Sequence, residues 1–334
     1  MPFSLSMTAT MGSYILKNKL LGRDKFPLVM MLEPLHACNL TCTGCGRIRE
    51  YKESIRETLT VEQCLQAAEE CGSPIVSICG GEPMIYEPLD ELVSELLKRG
   101  KFIYLCTNGM FIKKRLHQFR PSSRFFFNVH LDGLEETHDL CVERKGVYQA
   151  AIEGIKIAKE AGFLVCTNTT IYRETDMGEI EAMLDYLQTL DCDGHMLSPA
   201  YPYIAVQVKE IFMDRAVVRE KFRDIDRLFR KYKLNSSPIY LEFLKGERNL
   251  TCTAWGNPTY NTKGWKGPCY LMTDAHHTTF RQLMDDTPWE KYGHGKDPRC
   301  QDCMVHCGYE PSAALGVNSK LGDTFKMMSW ALLS

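Results

Sequence analysis

Cys38, Cys42 and Cys45 stand in a C-x₃-C-x₂-C run inside the stretch HACNLTCTGCG. Three thiolates so close together can cap three corners of a [4Fe–4S] cube and leave the fourth iron open to a ligand the protein does not supply. An electron carrier normally has all its irons capped, so an open corner suits a catalytic cluster better. Two other readings share the spacing. A zinc ion could take these thiolates plus a distant fourth ligand, although zinc sites more often show two C-x₂-C pairs. The thiols could also be small buried hydrophobes. The chain has 15 Cys in 334 residues, and their short spacings argue against a disulfide scaffold, as does the length.

Stepping from these thiols to the elements that must hold them, residues 28–200 alternate apolar runs with helical patterns. Strands are expected at 28–34, 74–80, 101–107, 124–132, 163–171 and 194–200. Helices are expected at 61–70, 89–100, 147–162 and 178–190, with a shorter one at 111–119 ahead of the Pro121 punctuation. In the third long helix Val147, Ala151, Ile155 and Ala158 share a face and Gly162 is the stop. Six strand–helix units with strands rich in Val, Ile and Phe argue for parallel strands covered by helices. Ligand sites in such folds gather at the C-terminal ends of the strands. There the chain places Cys38 and its partners, Gly80-Gly81-Glu82-Pro83, Cys106 before Thr107-Asn108-Gly109, His130 with Asp132, Asn168 with Thr170, and Ser198.

Beyond this core, residues 206–231 read as one long charged helix and 236–244 as a short element. After residue 250 the Gly-, Thr-, Asn- and Trp-rich texture reads as an irregular C-terminal module and not a seventh strand–helix unit. The division expected is residues 1–27 as an N-terminal basic amphipathic segment, 28–235 as the core and 236–334 as a cysteine-rich module over the substrate. In the first segment Tyr14, Ile15, Leu16, Leu20 and Leu21 alternate with Lys17, Lys19, Arg23 and Lys25. Such a helix either closes the bottom of the main domain or lies on a membrane surface. A formal net charge of −2 gives no reason to expect nucleic acid. No apolar run reaches the length of a membrane span, the opening lacks the build of a signal peptide, and so many unpaired thiols suit a reducing cytoplasm.

The three-cysteine loop after the first strand, GGEP after the second and the six-fold alternation together resemble the radical S-adenosylmethionine superfamily across residues 28–200. That resemblance implies a partial (β/α)₆ barrel of the TIM-like kind. Amino and carboxyl groups of S-adenosylmethionine would chelate the open iron, and one-electron reduction would cleave the sulfonium C–S bond to a 5′-deoxyadenosyl radical. It implies that the Gly80 and Gly81 backbone accepts hydrogen bonds from the methionine amino group. Paired glycines permit close main-chain approach and Pro83 stiffens the turn. Glu82 either reaches the cofactor or caps the strand end. Asn108, His130, Asp132 and Asn168 are candidates for the ribose hydroxyls, the carboxylate or the substrate, Asp132 and Asn168 foremost as short rigid hydrogen-bonding groups.

Over nearly the full length, MLEPLHACNLTCTGCG, VSICGGEP, YLCTNG, VHLDG, CTAWGNPT and CMVHCGYE resemble the adenosylhopane synthases of hopanoid biosynthesis. This closer resemblance implies addition of the adenosyl radical to the terminal alkene of diploptene, with an electron donor of the ferredoxin or flavodoxin type. The tertiary carbon radical so formed needs a hydrogen atom. Cys106 is the candidate donor, with Cys79 and Cys166 behind it and a packed small hydrophobe as the alternative. A polycyclic hydrocarbon needs apolar walls, for which Tyr201, Tyr203, Trp255, Trp265, Tyr270, Met196 and Met272 are candidates. The membrane-dissolved substrate gives the basic N-terminal segment a use in peripheral contact. Hydrogen abstraction from another isoprenoid or a peptide is the competing enzymatic reading. Cys252, Cys269, Cys300, Cys303 and Cys307 are open to a second cluster, a zinc ion or no metal.

Overall fold

The structure is a computed structural model that describes residues 4–317 and 319–333. Among these residues the strands are β1 (Val29–Leu32), β2 (Ile75–Ile78), β3 (Phe102–Thr107), β4 (Phe125–His130), β5 (Leu164–Ile171), β6 (Gly194–Pro199), β7 (Thr259–Asn261), β8 (Gly264–Cys269) and β9 (Met272–His277). They form one sheet in the order β6-β5-β4-β3-β2-β1-β7-β8-β9. The first six run parallel, as the expected partial (β/α)₆ barrel requires.

Helices alternate with them: α1 (Leu5–Leu20), α2 (Arg47–Glu50), α3 (Val61–Cys71), α4 (Leu89–Lys98), α5 (Ile112–Arg115), α6 (Glu135–Cys141), α7 (Val147–Glu160) and α8 (Met177–Thr189). Then follow α9 (Arg215–Lys221), α10 (Ile225–Lys231), α11 (Pro238–Lys245), α12 (Phe280–Asp286), α13 (His306–Leu315) and α14 (Asp323–Leu333). Strand alternation divides the side chains. Val76, Ile78, Ile103, Leu105, Phe125, Phe127, Val129 and Val165 pack with the helices in the main core. There the α7 face meets them, with Val147, Ala151, Ile155 and Ala158 all buried. The helix ends as its sequence requires, at Gly162 with φ +81°.

The other face of β1–β6 looks into the barrel in layers. Its floor is Ile75, Phe102, Phe126 and Cys166, with Tyr104 stacked on Phe126 at 4.7 Å. Helix α1 seals this floor from below: Met7 is buried in it, and the Tyr104 hydroxyl reaches Met7 Sδ at 3.8 Å. The N-terminal segment therefore does close the bottom of the domain. Its Leu16, Leu20 and Leu21 remain 59, 79 and 59% exposed.

One expectation fails. The single helix over 206–231 is instead an irregular stretch followed by α9 and α10. Arg173 Nε donates to the carbonyls of Glu210 and Phe212, taking acceptors that a helix would need. Asp214 then caps α9, accepting from Val217 N–H at 2.9 Å. The region after 250 is, as expected, not a seventh strand–helix unit, and part of it is strand. Strand β7 pairs parallel with β1 and leads an antiparallel meander, so the module extends the core sheet. Its first turn is set by Asn261, whose side-chain oxygen accepts from Lys263 N–H, and by Gly264 at φ +106°.

Candidate active site

Cys38, Cys42 and Cys45 lie on the loop between β1 and α2, at the C-terminal end of the strand. Local hydrogen bonds give that loop its shape. Leu40 N–H donates to Cys38 Sγ at 3.4 Å, Cys45 N–H donates to the Cys42 carbonyl at 3.1 Å, and Arg49 gathers the carbonyls of Thr41, Cys42 and Cys45. Cys38 and Cys42 face Leu40, Met110, Val142 and Val147. Burial pushes the Cys38 thiol up to about 12 and raises that of Cys42 as well, so ionised sulfurs there need a compensating positive charge of the kind a metal brings. An apolar wall, an amide aimed at sulfur and three thiols on one loop fit a cluster held by Cys38, Cys42 and Cys45.

Two glycines let tyrosines reach this loop. A Cβ at Gly44 would lie 2.2 Å from the Tyr172 hydroxyl, and one at Gly46 would meet the Tyr203 ring at 2.4 Å. Behind them Arg47 is buried and bonded to Glu33 at 3.0 Å, and its Nη2 donates to the Tyr270 carbonyl at 2.9 Å. The loop is thereby tied to the C-terminal meander. Sequence reasoning missed Arg47, Arg49 and Tyr172, since nothing in their spacing sets them apart from surface charges and core aromatics, and it offered Tyr203 only as an apolar wall.

The GGEP turn packs directly on the same loop. A Cβ on Gly80 would stand 2.3 Å from the Leu35 carbonyl, and one on Gly81 1.9 Å from that of Ala37. Gly81 and Glu82 donate their N–H groups to those carbonyls at 3.1 and 2.9 Å. The Gly80 and Gly81 carbonyls take no hydrogen bond among the described residues, which leaves them free for an ammonium donor. The Glu82 side chain works inside the protein. It is buried and accepts from Met84 N–H at 2.9 Å, Thr107 Oγ1 at 2.7 Å and Asn108 N–H at 2.8 Å. Of its two sequence readings, this geometry is that of the strand-end cap.

Asn108 is occupied in a related way. Its Nδ2 donates to Asn39 Oδ1 at 2.8 Å, beside Cys38, while its own Oδ1 accepts from Met110 N–H. At the rim of the barrel, His130 Nε2 meets Asp132 Oδ2 at 2.9 Å, and Asp132 Oδ1 accepts from Thr170 N–H at 2.8 Å. Burial disfavours a charged His130, but the Asp132 carboxylate outweighs it and raises the imidazole pKa. Asn168 pairs with His130 in register, and its side chain makes no hydrogen bond among the described residues. His130 and Asn168 thus stand side by side, with Asp132 orienting the imidazole.

One layer below the rim lie Ser77, Cys106 and Asn128. Cys106 faces the barrel interior, with Ser77 Oγ at 3.3 Å and Asn128 Nδ2 donating to its sulfur at 3.5 Å. Burial raises its pKa and keeps it a protonated thiol. Cys79 is near Glu33, and Cys166 belongs to the floor beside Phe126. The aromatic candidates scatter. Trp265 is wholly buried between Tyr260 and Phe280, and Trp255 packs with Phe26 and Leu28 beside α1, so neither walls the barrel mouth. Tyr201, Tyr270 and Met272 line a separate hollow with the C-terminal cysteines. Met196 lies on β6 beside Asn168 in the inner face.

Residues 32–187 match the family model of the radical SAM superfamily, and residues 195–327 match a domain of unknown function, DUF3463. The Fe-coproporphyrin III synthase of Methanosarcina barkeri is 29% identical over 170 residues, covering 50% of this chain and 42% of that protein. The GTP 3',8-cyclase of Petrotoga mobilis is 28% identical over 198 residues, covering 53% of this chain and 61% of the other. The chain therefore spans about half the length of these curated relatives. Among solved structures, Streptococcus suis SuiB bound to its precursor peptide SuiA superposes with a TM-score of 0.66 at 16% identity. That match covers 86% of this chain and 72% of SuiB and bears on the fold. No helix among the described residues is long and apolar enough to cross a membrane.

Proposed function

We propose that this chain, whose residues 32–187 match the radical SAM superfamily model, cleaves S-adenosylmethionine with a [4Fe–4S] cluster and adds the adenosyl group to the terminal alkene of diploptene. The product is adenosylhopane. Cys38, Cys42 and Cys45 would hold the cluster, which would supply the electron that breaks the sulfonium C–S bond to methionine and the 5′-deoxyadenosyl radical. The Gly80 and Gly81 carbonyls accept from the methionine amino group. Asn168 and the His130–Asp132 pair hold the ribose hydroxyls at the rim, while Glu82 and Asn108 brace the loops that present them.

The observation that carries this reading is Cys106, a protonated thiol on the inner face one layer beneath that rim. Radical addition creates a tertiary carbon radical that must gain a hydrogen atom to give the saturated product, whereas a radical made by abstraction can also end by losing an electron, so a thiol donor inside the barrel supports addition. C5′ joins the terminal alkene carbon, using one electron of the π bond and leaving the other on the tertiary carbon. Cys106 S–H then breaks homolytically and the new C–H bond forms. One electron from a ferredoxin- or flavodoxin-type donor and one proton from solvent return the thiyl to thiol. Asn128 and Ser77 hold the sulfur toward the interior. The exposed Leu16, Leu20 and Leu21 beside Lys17 suit peripheral contact with the membrane that dissolves the alkene.

The test is anaerobic turnover of the full chain with S-adenosylmethionine labelled in the adenosyl group, dithionite and diploptene, followed by mass analysis of the lipid fraction. Label in an adenosylated triterpene supports the reading. Release of labelled 5′-deoxyadenosine with unchanged lipid overturns it in favour of hydrogen abstraction from another isoprenoid or a peptide.

A further inference from the structure

The chain gathers a second set of thiols away from the first loop. Cys252, Cys269, Cys300, Cys303 and Cys307 all line one hollow, together with Tyr201 and Tyr270. They arrive from separate segments: the stretch before β7, the end of β8, the 3₁₀ turn Pro298–Cys300, the loop after it and the first turn of α13. All five are free thiols. Cysteines used merely as small core residues look different in this molecule. Cys64, Cys71 and Cys192 sit singly among aliphatic side chains of the main core.

The backbone around the hollow is arranged for sulfur anions. Burial raises the Cys252, Cys269, Cys300 and Cys303 thiols, while the backbone N–H groups of Ala254, of Leu271 and Met272, of Gly293 and of Val305 act the other way and favour the thiolates. At Cys38 the corresponding amide is a hydrogen bond, from Leu40 N–H to Sγ at 3.4 Å. A neutral buried thiol is a weak acceptor and needs no such amides. They suit the sulfurs of a thiolate-bound cluster, whose charge they offset. Gly308 shows how closely the parts meet: a Cβ there would lie 2.3 Å from Cys252 Sγ. Thr253 locks the approach by donating both its N–H and its hydroxyl to the Gly308 carbonyl.

The nature of the metal is limited by the donor set. It is all sulfur: His306, adjacent to Cys307, points away and pairs with Ser198 Oγ at 2.9 Å. Among the described residues, no group of three or more His, Cys, Asp or Glu side chains is arranged to hold a single metal ion. That holds for Cys38, Cys42 and Cys45 too. A wholly sulfur donor set is that of an iron–sulfur cluster or a structural zinc, and the metal content of the reconstituted protein separates the two.

We propose that four of the five thiols Cys252, Cys269, Cys300, Cys303 and Cys307 bind a second [4Fe–4S] cluster with every iron capped by protein. Each ligand binds as thiolate and releases its proton to solvent. The fifth thiol has no corner to fill. This site is independent of what substrate the first cluster serves.

The experiment is anaerobic reconstitution of the full chain with ferrous iron and sulfide, read by iron and sulfide content and Mössbauer spectra. Wild type is expected to hold about eight irons, and the triple variant Cys38→Ala, Cys42→Ala, Cys45→Ala about four, in a cluster whose spectrum does not respond to S-adenosylmethionine. The triple variant leaves the C-terminal module untouched, and its circular dichroism checks the fold. Iron near four in wild type with none in the triple variant overturns the proposal, as does stoichiometric zinc in place of iron. Five single Cys→Ser variants supply a second reading: four should lose the second cluster and one should keep it. Retention in all five would also overturn the site. Iron content is read without substrate, so a failed lipid-labelling experiment leaves this result standing, and the reverse.

Discussion

The two cysteine groups of this protein are assembled by opposite means. Cys38, Cys42 and Cys45 occupy one short loop whose own amides and Arg49 shape it, so chain proximity alone brings the sulfurs together. The C-terminal five span residues 252–307 and meet only because β7 joins β1, the meander folds back and α13 docks against Thr253. The first group has a loop full of exchangeable partners at a barrel mouth, and three thiols for four corners. The second has more thiols than corners and a closed apolar wall. An open site suits chemistry on a bound small molecule, while a closed one suits stability or electron storage. Arg47 and Tyr270 join the two regions, through a hydrogen bond and a guanidinium lying 4.6 Å from the ring centroid.

The largest effect belongs to the open site. Cys42→Ser removes one of the three proposed protein ligands, and formation of methionine from S-adenosylmethionine should fall by about a thousandfold or more, equivalent to upwards of about 4 kcal/mol in barrier. Methionine release under dithionite measures it. Cleavage within tenfold of wild type would show that the two regions have been assigned the wrong way round.

Next is the proposed hydrogen donor. In Cys106→Ala, saturated adenosyl product should form roughly a hundredfold more slowly, about 2.7 kcal/mol of barrier, while S-adenosylmethionine is still consumed. Comparing product with methionine released separates failed quenching from failed cleavage. Normal product at the normal rate would remove Cys106 from the reaction and leave it a packed residue.

These contrasts also mark what could be read from the chain alone. The six parallel strands were legible because each buries an alternating set such as Phe125, Phe127 and Val129, and the helix stops at Gly162 needed nothing tertiary. The three-cysteine loop was legible for the same local reason. Strand β7, three residues long, carries no periodicity, and its existence depends on β1 offering a free edge. The failure of the 206–231 helix came from Arg173, more than thirty residues upstream, capturing carbonyls. Glu82 carried a chemical motif in the sequence, yet its carboxylate binds β3; only contacts decide between a ligand and a brace.

A smaller effect is expected where a side chain supports the open site without touching iron. Arg49 holds three carbonyls of the cysteine loop. Arg49→Met keeps the bulk and removes the donors, and should weaken cluster retention by about ten- to a hundredfold, the usual cost of losing an outer hydrogen-bonding partner. Iron retained after graded chelation, in a background lacking the C-terminal thiols, is the measurement. Retention equal to the parent would show that the thiols alone shape the loop.

The last contrast is in the response to pH. Burial opposes ionisation of Glu33 beside the open site, but Arg47 overrules it and holds the carboxyl at about 2. Its folded value is depressed, so its contribution is present above the ordinary carboxylate range and is lost as pH falls toward 2. Glu310 on α13, the helix that carries Cys307, goes the other way. Burial raises it to about 7, against the opposing hydrogen bond from Ser237 N–H at 2.8 Å. The folded protein then holds a proton there that the unfolded chain releases near pH 4.5, so stability should decline as pH rises from about 4.5 to 7 and level off above. Because the carboxyl keeps some solvent contact, the decline should be about 1–2 kcal/mol. Glu310→Gln, which cannot ionise, should flatten denaturant midpoints across that window, whereas Glu33→Gln should leave their slope in place. An unchanged slope in Glu310→Gln would place the titrating group elsewhere than on α13.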